Sequence, residues 1–297
     1  MITKHVPVLL KESVEALNLH EGQIFVDGTL GSGGHSAEVL RRLGDEVEII
    51  GLDRDEEAIL RTGKVLNAPN VFLRNESFRN IDRVLSGLGI SKVDAILLDL
   101  GISSNQIEES GRGFSFLKDE PLLMTMASVP EENSLTAKTI LNTWDEGALE
   151  LILRGFGEEK FSRRIAREIV ARRETKLFET TSELVEAIKS ATPSVYHRGR
   201  IHPATKTFQA LRIAVNEELT ALGDGLEKGF ELLNSKGRLA VISFHSLEDR
   251  IVKNFFRERV KDGEGKALNK KPIVATDEEM RENPRSRSAK LRVIEKI

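Results

Sequence analysis

Phe25-Val26-Asp27-Gly28-Thr29-Leu30-Gly31-Ser32-Gly33-Gly34-His35-Ser36 is the most telling stretch of the chain. An apolar run stops at an acid and turns through four glycines into a helical pattern, so it reads as the end of a buried strand leading into a helix. Glycines at this spacing let a backbone turn sharply and come within contact distance of a ligand, which a Cβ would prevent. A nucleotide-like ligand is the expectation.

Spacing separates the ligand classes that use such a loop. A phosphate-cradling P-loop needs a Lys directly after its last Gly, whereas here Gly33 is followed by Gly34 and His35. A dinucleotide fold needs G-x-G-x-x-G, whereas the order from Gly28 is G-x-x-G-x-G-G with Asp27 just ahead of it. That acid repels a pyrophosphate and welcomes a cation, and S-adenosyl-L-methionine carries both an ammonium and a sulfonium. A glycine-rich turn with no ligand is the alternative.

Outward from this turn, apolar runs alternate with helical patterns. Val8, Leu9, Val14 and Leu17 suggest a short helix before the first strand, with Val6 and Pro7 leading into it. Ala37, Val39, Leu40 and Leu43 carry a helix that Gly44 ends. A second strand, 47–53, finishes on Asp53; a helix over 55–65 and a strand at 71–73 follow, and a fourth strand, 93–99, finishes on Asp99. Such alternation means parallel βαβ units, whose ligands sit beyond the carboxyl ends of the strands. Asp27, Asp53, Phe78 and Asp99 are therefore expected around one crevice.

From about Gly111 to Arg200 the alternation gives way to helical patterns, including a capping box of Thr180 with Glu183. The expected organisation is a discontinuous sheet domain, 1–110 with 201–297, and a helical insertion, 111–200. After Pro203, Phe208, Leu211, Val215, Leu219, Leu222, Leu226, Phe230 and Leu233 form one long apolar stripe that reads as core. Residues 237–244 are a fifth strand, and 272–275 and 291–294 are candidate closing strands. The fold class expected is α/β, with a mostly parallel sheet and an inserted all-helical domain.

With 297 residues, 39% of them hydrophobic, the chain can bury a sizeable core. It has no cysteine, which excludes disulfides, thiolate metal sites and a Cys nucleophile. No apolar run reaches the ~20 residues of a membrane span and the N-terminus lacks a signal-peptide pattern, so a cytoplasmic protein with no membrane partner is expected. A net charge of −3 argues against a globally basic nucleic-acid binder but permits local basic faces.

Taken together, the ordered motifs resemble the RsmH (MraW) family, methyltransferases that modify the N4 amine of a cytidine in 16S rRNA. The resemblance rests on His5-Val6-Pro7-Val8-Leu9, the glycine turn, Asp53-Arg54-Asp55, Asp99-Leu100-Gly101-Ile102-Ser103-Ser104 and Arg112-Gly113-Phe114-Ser115-Phe116. It continues through His202-Pro203-Ala204-Thr205, Phe208-Gln209-Ala210-Leu211-Arg212, the run 243–250 and Asn283-Pro284-Arg285. It implies a class I (Rossmann-like) S-adenosylmethionine-dependent sheet and action in the decoding region of the small ribosomal subunit. It also implies cofactor contacts at Gly33, Gly34, His35, Asp53, Phe78, Asp99 and Gln106. Asp53, ending strand two, is placed to accept the ribose hydroxyls, and Phe78 could cover a face of the adenine. Where the family usually reads Pro-Leu-Asp-Met-Arg-Met-Asp, this chain has Pro121-Leu122-Leu123-Met124-Thr125-Met126-Ala127, so two acids and a base are replaced.

The chemistry narrows further. Methylation of cytosine at C5 needs a thiolate added to the ring, which this chain cannot supply. Methylation at N4 needs acceptors for the amine protons and in-line alignment, and proximity supplies most of the acceleration. Asp99 and the turn through Ser103 and Ser104 occupy the position where amino-methyltransferases usually carry a polar residue before Pro-Pro-aromatic, a sequence absent here. Phe114, Phe116 or Phe244 could stack on the base instead. The catalytic candidates are Asp99, Ser103 and His245. His245 is either a substrate contact or a cap of its turn, and no metal site is expected there.

Lys160, Arg163, Arg164, Arg167, Arg172 and Arg173 of the insertion are candidates for phosphate binding, as are His197, Arg198, Arg200 and Lys206 and the tail residues Arg285, Arg287, Lys290 and Arg292. Interspersed acids also allow a merely solvated face. The expected partner is 16S rRNA or the small ribosomal subunit, with a homodimer left open. A non-catalytic ribosome-assembly factor that keeps the cofactor pocket, and a methyltransferase for another amino acceptor, are the alternatives.

Overall fold

A computed structural model describes residues 7–129, 133–199 and 201–297. His5, Val6 and Arg200, each singled out in the sequence, lie outside them. Seven strands form one sheet: β1 (Ile24–Asp27), β2 (Glu48–Asp53), β3 (Val71–Asn75), β4 (Val93–Asp99), β5 (Leu233–Ser243), β6 (Gly265–Ala267) and β7 (Lys290–Lys296). Their order is β3-β2-β1-β4-β5-β7-β6. The first five strands pair in parallel, and β7 runs antiparallel to both of its neighbours, β5 and β6. The result is a mostly parallel α/β sheet, as expected.

The pleat explains how the strands bury both faces. Val26, Ile50, Ile96 and Leu98 join Leu226 and Phe230 of helix Glu218–Leu232 and Phe256 of helix Ser246–Lys261 in one core. Their alternating neighbours Phe25, Ile49, Leu97 and Ile242 join Leu9, Val14 and Val39 in another. Successive side chains point to opposite faces, so near-continuous apolar strands need helices on both sides. Register then sets the acids: Asp27 lies opposite Gly51 and Leu97, Asp53 opposite Asn75, and Asp99 opposite Ile242.

The chain divides into two compact units, residues up to Gly101 with Leu219–Ile297, and Ile102–Glu218. Residues 102–110 and 201–218, expected with the sheet, thus fall in the helical unit. The apolar stripe after Pro203 is the reason. It is two helices, Thr205–Asn216 and Glu218–Leu232, separated by Glu217 in a left-handed conformation with φ 51°. Phe208, Leu211 and Val215 pack with Leu141, Leu153, Ile165, Leu184 and Ile188 in the helical core, whereas Leu222, Leu226 and Phe230 belong to the sheet core.

The closing strands also differ from expectation. Residues 291–294 lie in β7, but of 272–275 only Ile273 pairs, in an isolated bridge to Leu291. Pro272 has no N–H for a ladder. The edge strand is instead β6, whose Gly-Lys-Ala sequence has no apolar alternation to announce it. The Thr180–Glu183 capping box forms as read and opens helix Thr181–Ala191.

Candidate functional site

At the end of β1 the glycine turn is held by its own backbone and by two acids. Asp27 accepts from the Thr29 N–H at 3.3 Å and from the Ser36 hydroxyl at 2.7 Å. Asp53 accepts from the Gly31 N–H at 2.7 Å and, through its other oxygen, from the Asp55 N–H at 2.8 Å. Gly33 has φ 72° and donates to the Leu30 carbonyl at 2.7 Å; a Cβ on it would lie 2.5 Å from Thr62 Cγ2. A Cβ on Gly34 would run into the Pro7 ring. Both glycines are thus required by the packing of their own chain, whatever the loop binds.

The strand-end acids sit in an environment that opposes their charge. Asp27 is 1% exposed, and burial pushes its carboxyl from 3.8 to about 6 against the pull of its Ser36 and Thr29 bonds. Asp99 is raised well above the ordinary carboxylate range, first by burial and then by the charges of Asp27 and Glu248. Its Oδ1 is buried with no hydrogen-bond partner among the described residues, while Oδ2 lies 3.9 Å from His35 Nδ1. The Asp99 N–H is taken by the Thr29 hydroxyl at 2.6 Å, a contact the sequence did not reveal. Acids held this way gain from a cation, because an opposite charge offsets the desolvation cost of ionising. The ammonium and sulfonium of S-adenosylmethionine fit that requirement, and Asp53, whose carboxylate only accepts, is of the type that suits the two hydroxyls of a ribose.

Other predicted site residues are placed less simply. His35 is buried, and its Nε2 lies 3.2 Å from the Val8 carbonyl, so that nitrogen carries the proton that faces it. Phe78 opens a short 3₁₀ turn after β3, and its ring rests on helix Glu218–Leu232, where a Cβ on Gly225 would lie 2.5 Å from Phe78 Cδ2. That packing occupies part of the surface expected to cover adenine. Ser103 and Gln106 bond to each other: the Gln106 N–H donates to Ser103 Oγ at 3.2 Å and the Ser103 N–H to Gln106 Oε1 at 3.0 Å. They form a capping box on helix Ser104–Glu108, within the helical unit.

His245 is a cap. Its Nδ1 accepts from the Glu248 N–H at 3.3 Å, and Glu248, 3% exposed, accepts from the N–H groups of Phe244 and His245 at 2.8 and 3.3 Å. His245 Nε2 lies 3.2 Å from Glu248 Oε1, off the line of a hydrogen bond. Of the three candidate base-stacking rings, Phe114 is buried, Phe116 lies flat on His202 with centroids 4.4 Å apart, and Phe244 is half-buried beside Gly101.

The segment that departs from the family pattern is anchored through main-chain atoms. Buried Arg112 donates to the carbonyls of Thr125 at 3.0 Å and Met126 at 2.6 Å. Buried Asn216 accepts from the Met126 N–H and donates to the Met124 carbonyl, both at 2.8 Å. Leu122 and Met124 are fully buried in the helical core. Neither anchor uses the side chain at 123, 125 or 127, so the replaced charges leave them intact.

Known proteins resemble this chain along its whole length. The sequence pattern of the MraW methylase family matches residues 2–297. The chain is 46% identical over 315 residues to the ribosomal RNA small subunit methyltransferase H of Heliobacterium modesticaldum, covering 100% of both chains. It is 47% identical over 313 residues to the protein of the same name from Acetivibrio thermocellus, covering 99% of both. Among solved structures, a putative rRNA-methylase from Clostridium thermocellum aligns with 99% of this chain and 100% of its own at 15% identity and a TM-score of 0.48, a likeness too loose to add to the strand order itself.

Proposed function

The chain belongs to the MraW methylase family, and from that premise we propose that it transfers a methyl group from S-adenosylmethionine to the N4 amine of a cytidine in 16S rRNA, in the decoding region of the small subunit. The observation that carries this reading is the trio of strand-end acids, and above all Asp99, whose buried Oδ1 lacks a donor among the described residues. The bound cofactor supplies an electrophilic methyl group on a sulfonium. Asp53 holds the ribose end, Asp27 and Asp99 favour the positively charged end, and Asp99 Oδ1 is the acceptor nearest the chemistry for an amine proton. Withdrawing that proton localises the nitrogen lone pair for in-line attack. The absence of cysteine disfavours the competing carbon acceptor.

Ser103 and His245 act in this proposal by fixing the backbone after β4 and β5, each through its cap. The helical unit supplies recognition of rRNA. Incubation with labelled S-adenosylmethionine and small subunits or naked rRNA lacking the modification tests the reading. Label on a cytidine of the small-subunit RNA is expected. Cofactor binding without any transfer would leave a non-catalytic assembly factor.

A further inference from the structure

The insertion's basic residues are not equivalent. Along helix Ser162–Arg173, Arg167 lies 3.7 Å from Glu146, Arg172 is bonded to Glu168 at 2.7 Å, and Arg173 caps another helix through the carbonyls of Leu141 and Trp144. These charges are spent on the protein itself. At the other end of the helix, Lys160, Arg163 and Arg164 are exposed and have no acid within ion-pair distance among the described residues.

Two of the three are held by aromatic rings instead. Lys160 Nζ lies 5.0 Å from the centre of the Phe161 ring and 4.9 Å from that of Tyr196, and the Arg164 guanidinium lies 5.9 Å from Phe161. The two rings meet edge to face at 5.0 Å. They are fixed from below by Glu159, which is 1% exposed and accepts from the Tyr196 hydroxyl at 2.6 Å and from the Phe161 N–H at 2.8 Å. A buried carboxylate thus sets two rings, and the rings set two cations without neutralising them. A solvated face has no use for such a support. Charges that merely keep a helix soluble find acids in their own chain, as Arg167 and Arg172 do.

We infer that Lys160 and Arg164, seated on Phe161 and Tyr196, form a preorganised clamp for the phosphodiester backbone of single-stranded RNA. This rests on the rRNA reading above and names the part of the helical unit that holds the substrate. Flexible cations lose side-chain freedom when they bind phosphate; the rings remove much of that loss beforehand.

The test measures the affinity of the full chain for unmodified naked 16S rRNA and for a short single-stranded RNA as salt is varied, with methyl transfer assayed on the same samples. The Lys160→Gln/Arg164→Gln variant should show a slope of log affinity against log salt shallower by about 1.4, because each phosphate neutralised on a single strand contributes ~0.7. Arg167→Gln/Arg172→Gln, on the same helix, should keep the wild-type slope. A wild-type slope in the first variant, or an equal drop in both, would overturn the clamp. Failure of the function reading looks different: the slope changes as expected while wild-type protein methylates no rRNA.

Discussion

The two units solve opposite electrostatic problems. In the sheet unit, acids stand at the ends of β1, β2 and β4, with Asp27 buried and Asp53 and Asp99 half-buried, and desolvation shows as raised proton affinity in Asp27 and Asp99. In the helical unit, cations are held out in solvent, and the buried acid beneath them, Glu159, binds rings rather than neutralising charge. A buried anion wants a small cation that can be enclosed; exposed cations want an extended anion that cannot. In the proposed reading, cofactor and nucleic acid are matched by separate parts of one chain, and variants in each part test that separation.

That division is probed most severely at Asp53. Asp53→Ala removes the acceptor proposed for a ribose and the bonds from Gly31 and Asp55, and two charge-assisted bonds at about 1.5–3 kcal/mol each predict at least ~100-fold weaker cofactor binding by calorimetry. Affinity for rRNA should stay at the wild-type value. Unchanged cofactor affinity would refute the placement of the ribose.

Next in size is the anchoring of the helical unit. Asn216→Ala deprives the Met126 N–H and the Met124 carbonyl of their buried partner, and should lower stability by about 2–4 kcal/mol in denaturant unfolding. A drop smaller than about 1 kcal/mol would mean that the 121–127 segment holds its shape without this pin.

Asp27 gives a pH signature. Its folded-state pKa of about 6 lies above its ordinary 3.8, so the folded protein binds the proton more tightly and stability falls as pH rises through that window. The full penalty, about 3 kcal/mol by linkage, is present above pH 6 and absent below about pH 4. Asp27→Asn should therefore stabilise the cofactor-free protein at about pH 7.5 while changing little at about pH 4. In the wild-type protein, affinity for the cationic cofactor should climb across the same interval. A variant that loses stability equally at both pH values would contradict this.

The smallest effect is expected among the cations of the sheet unit. Lys290 and Arg292, read in the sequence as candidate phosphate contacts, bond Asp249 at 3.2 and 2.7 Å, and the pair holds that carboxyl below the usual range despite the opposing effect of burial. Arg292→Gln should leave the salt dependence of RNA binding unaltered. A shallower slope would extend the RNA surface into the sheet unit.

What the sequence made legible were features written locally. Apolar runs that stop at Asp27, Asp53 and Asp99 announce strands and their carboxyl ends together, and Thr180 with Glu183 announces a helix start. The rest depends on partners far along the chain. Gly33 and Gly34 look like ligand glycines, yet Thr62 and Pro7 are what forbid a Cβ there. The break at Glu217 was hidden because a non-glycine residue adopts the left-handed conformation in the middle of an unbroken apolar stripe. Ser103 and Gln106 carry a readable capping pattern, Ser-x-x-Gln, which competes with their reading as catalytic and cofactor groups. The cap formed by His245 was one of two readings open in the sequence, and since His falls outside the usual Ser, Thr, Asp and Asn set, only the fold decides for it.

The decisive measurement is the identity of the methylated nucleoside. Small-subunit RNA lacking the modification is incubated with the protein and isotopically labelled S-adenosylmethionine, digested to nucleosides and resolved by mass spectrometry. Label should appear on N4-methylcytidine with wild-type protein and disappear with Asp53→Ala. Label on 5-methylcytidine or on a ribose, or none at all, would contradict methyl transfer to N4.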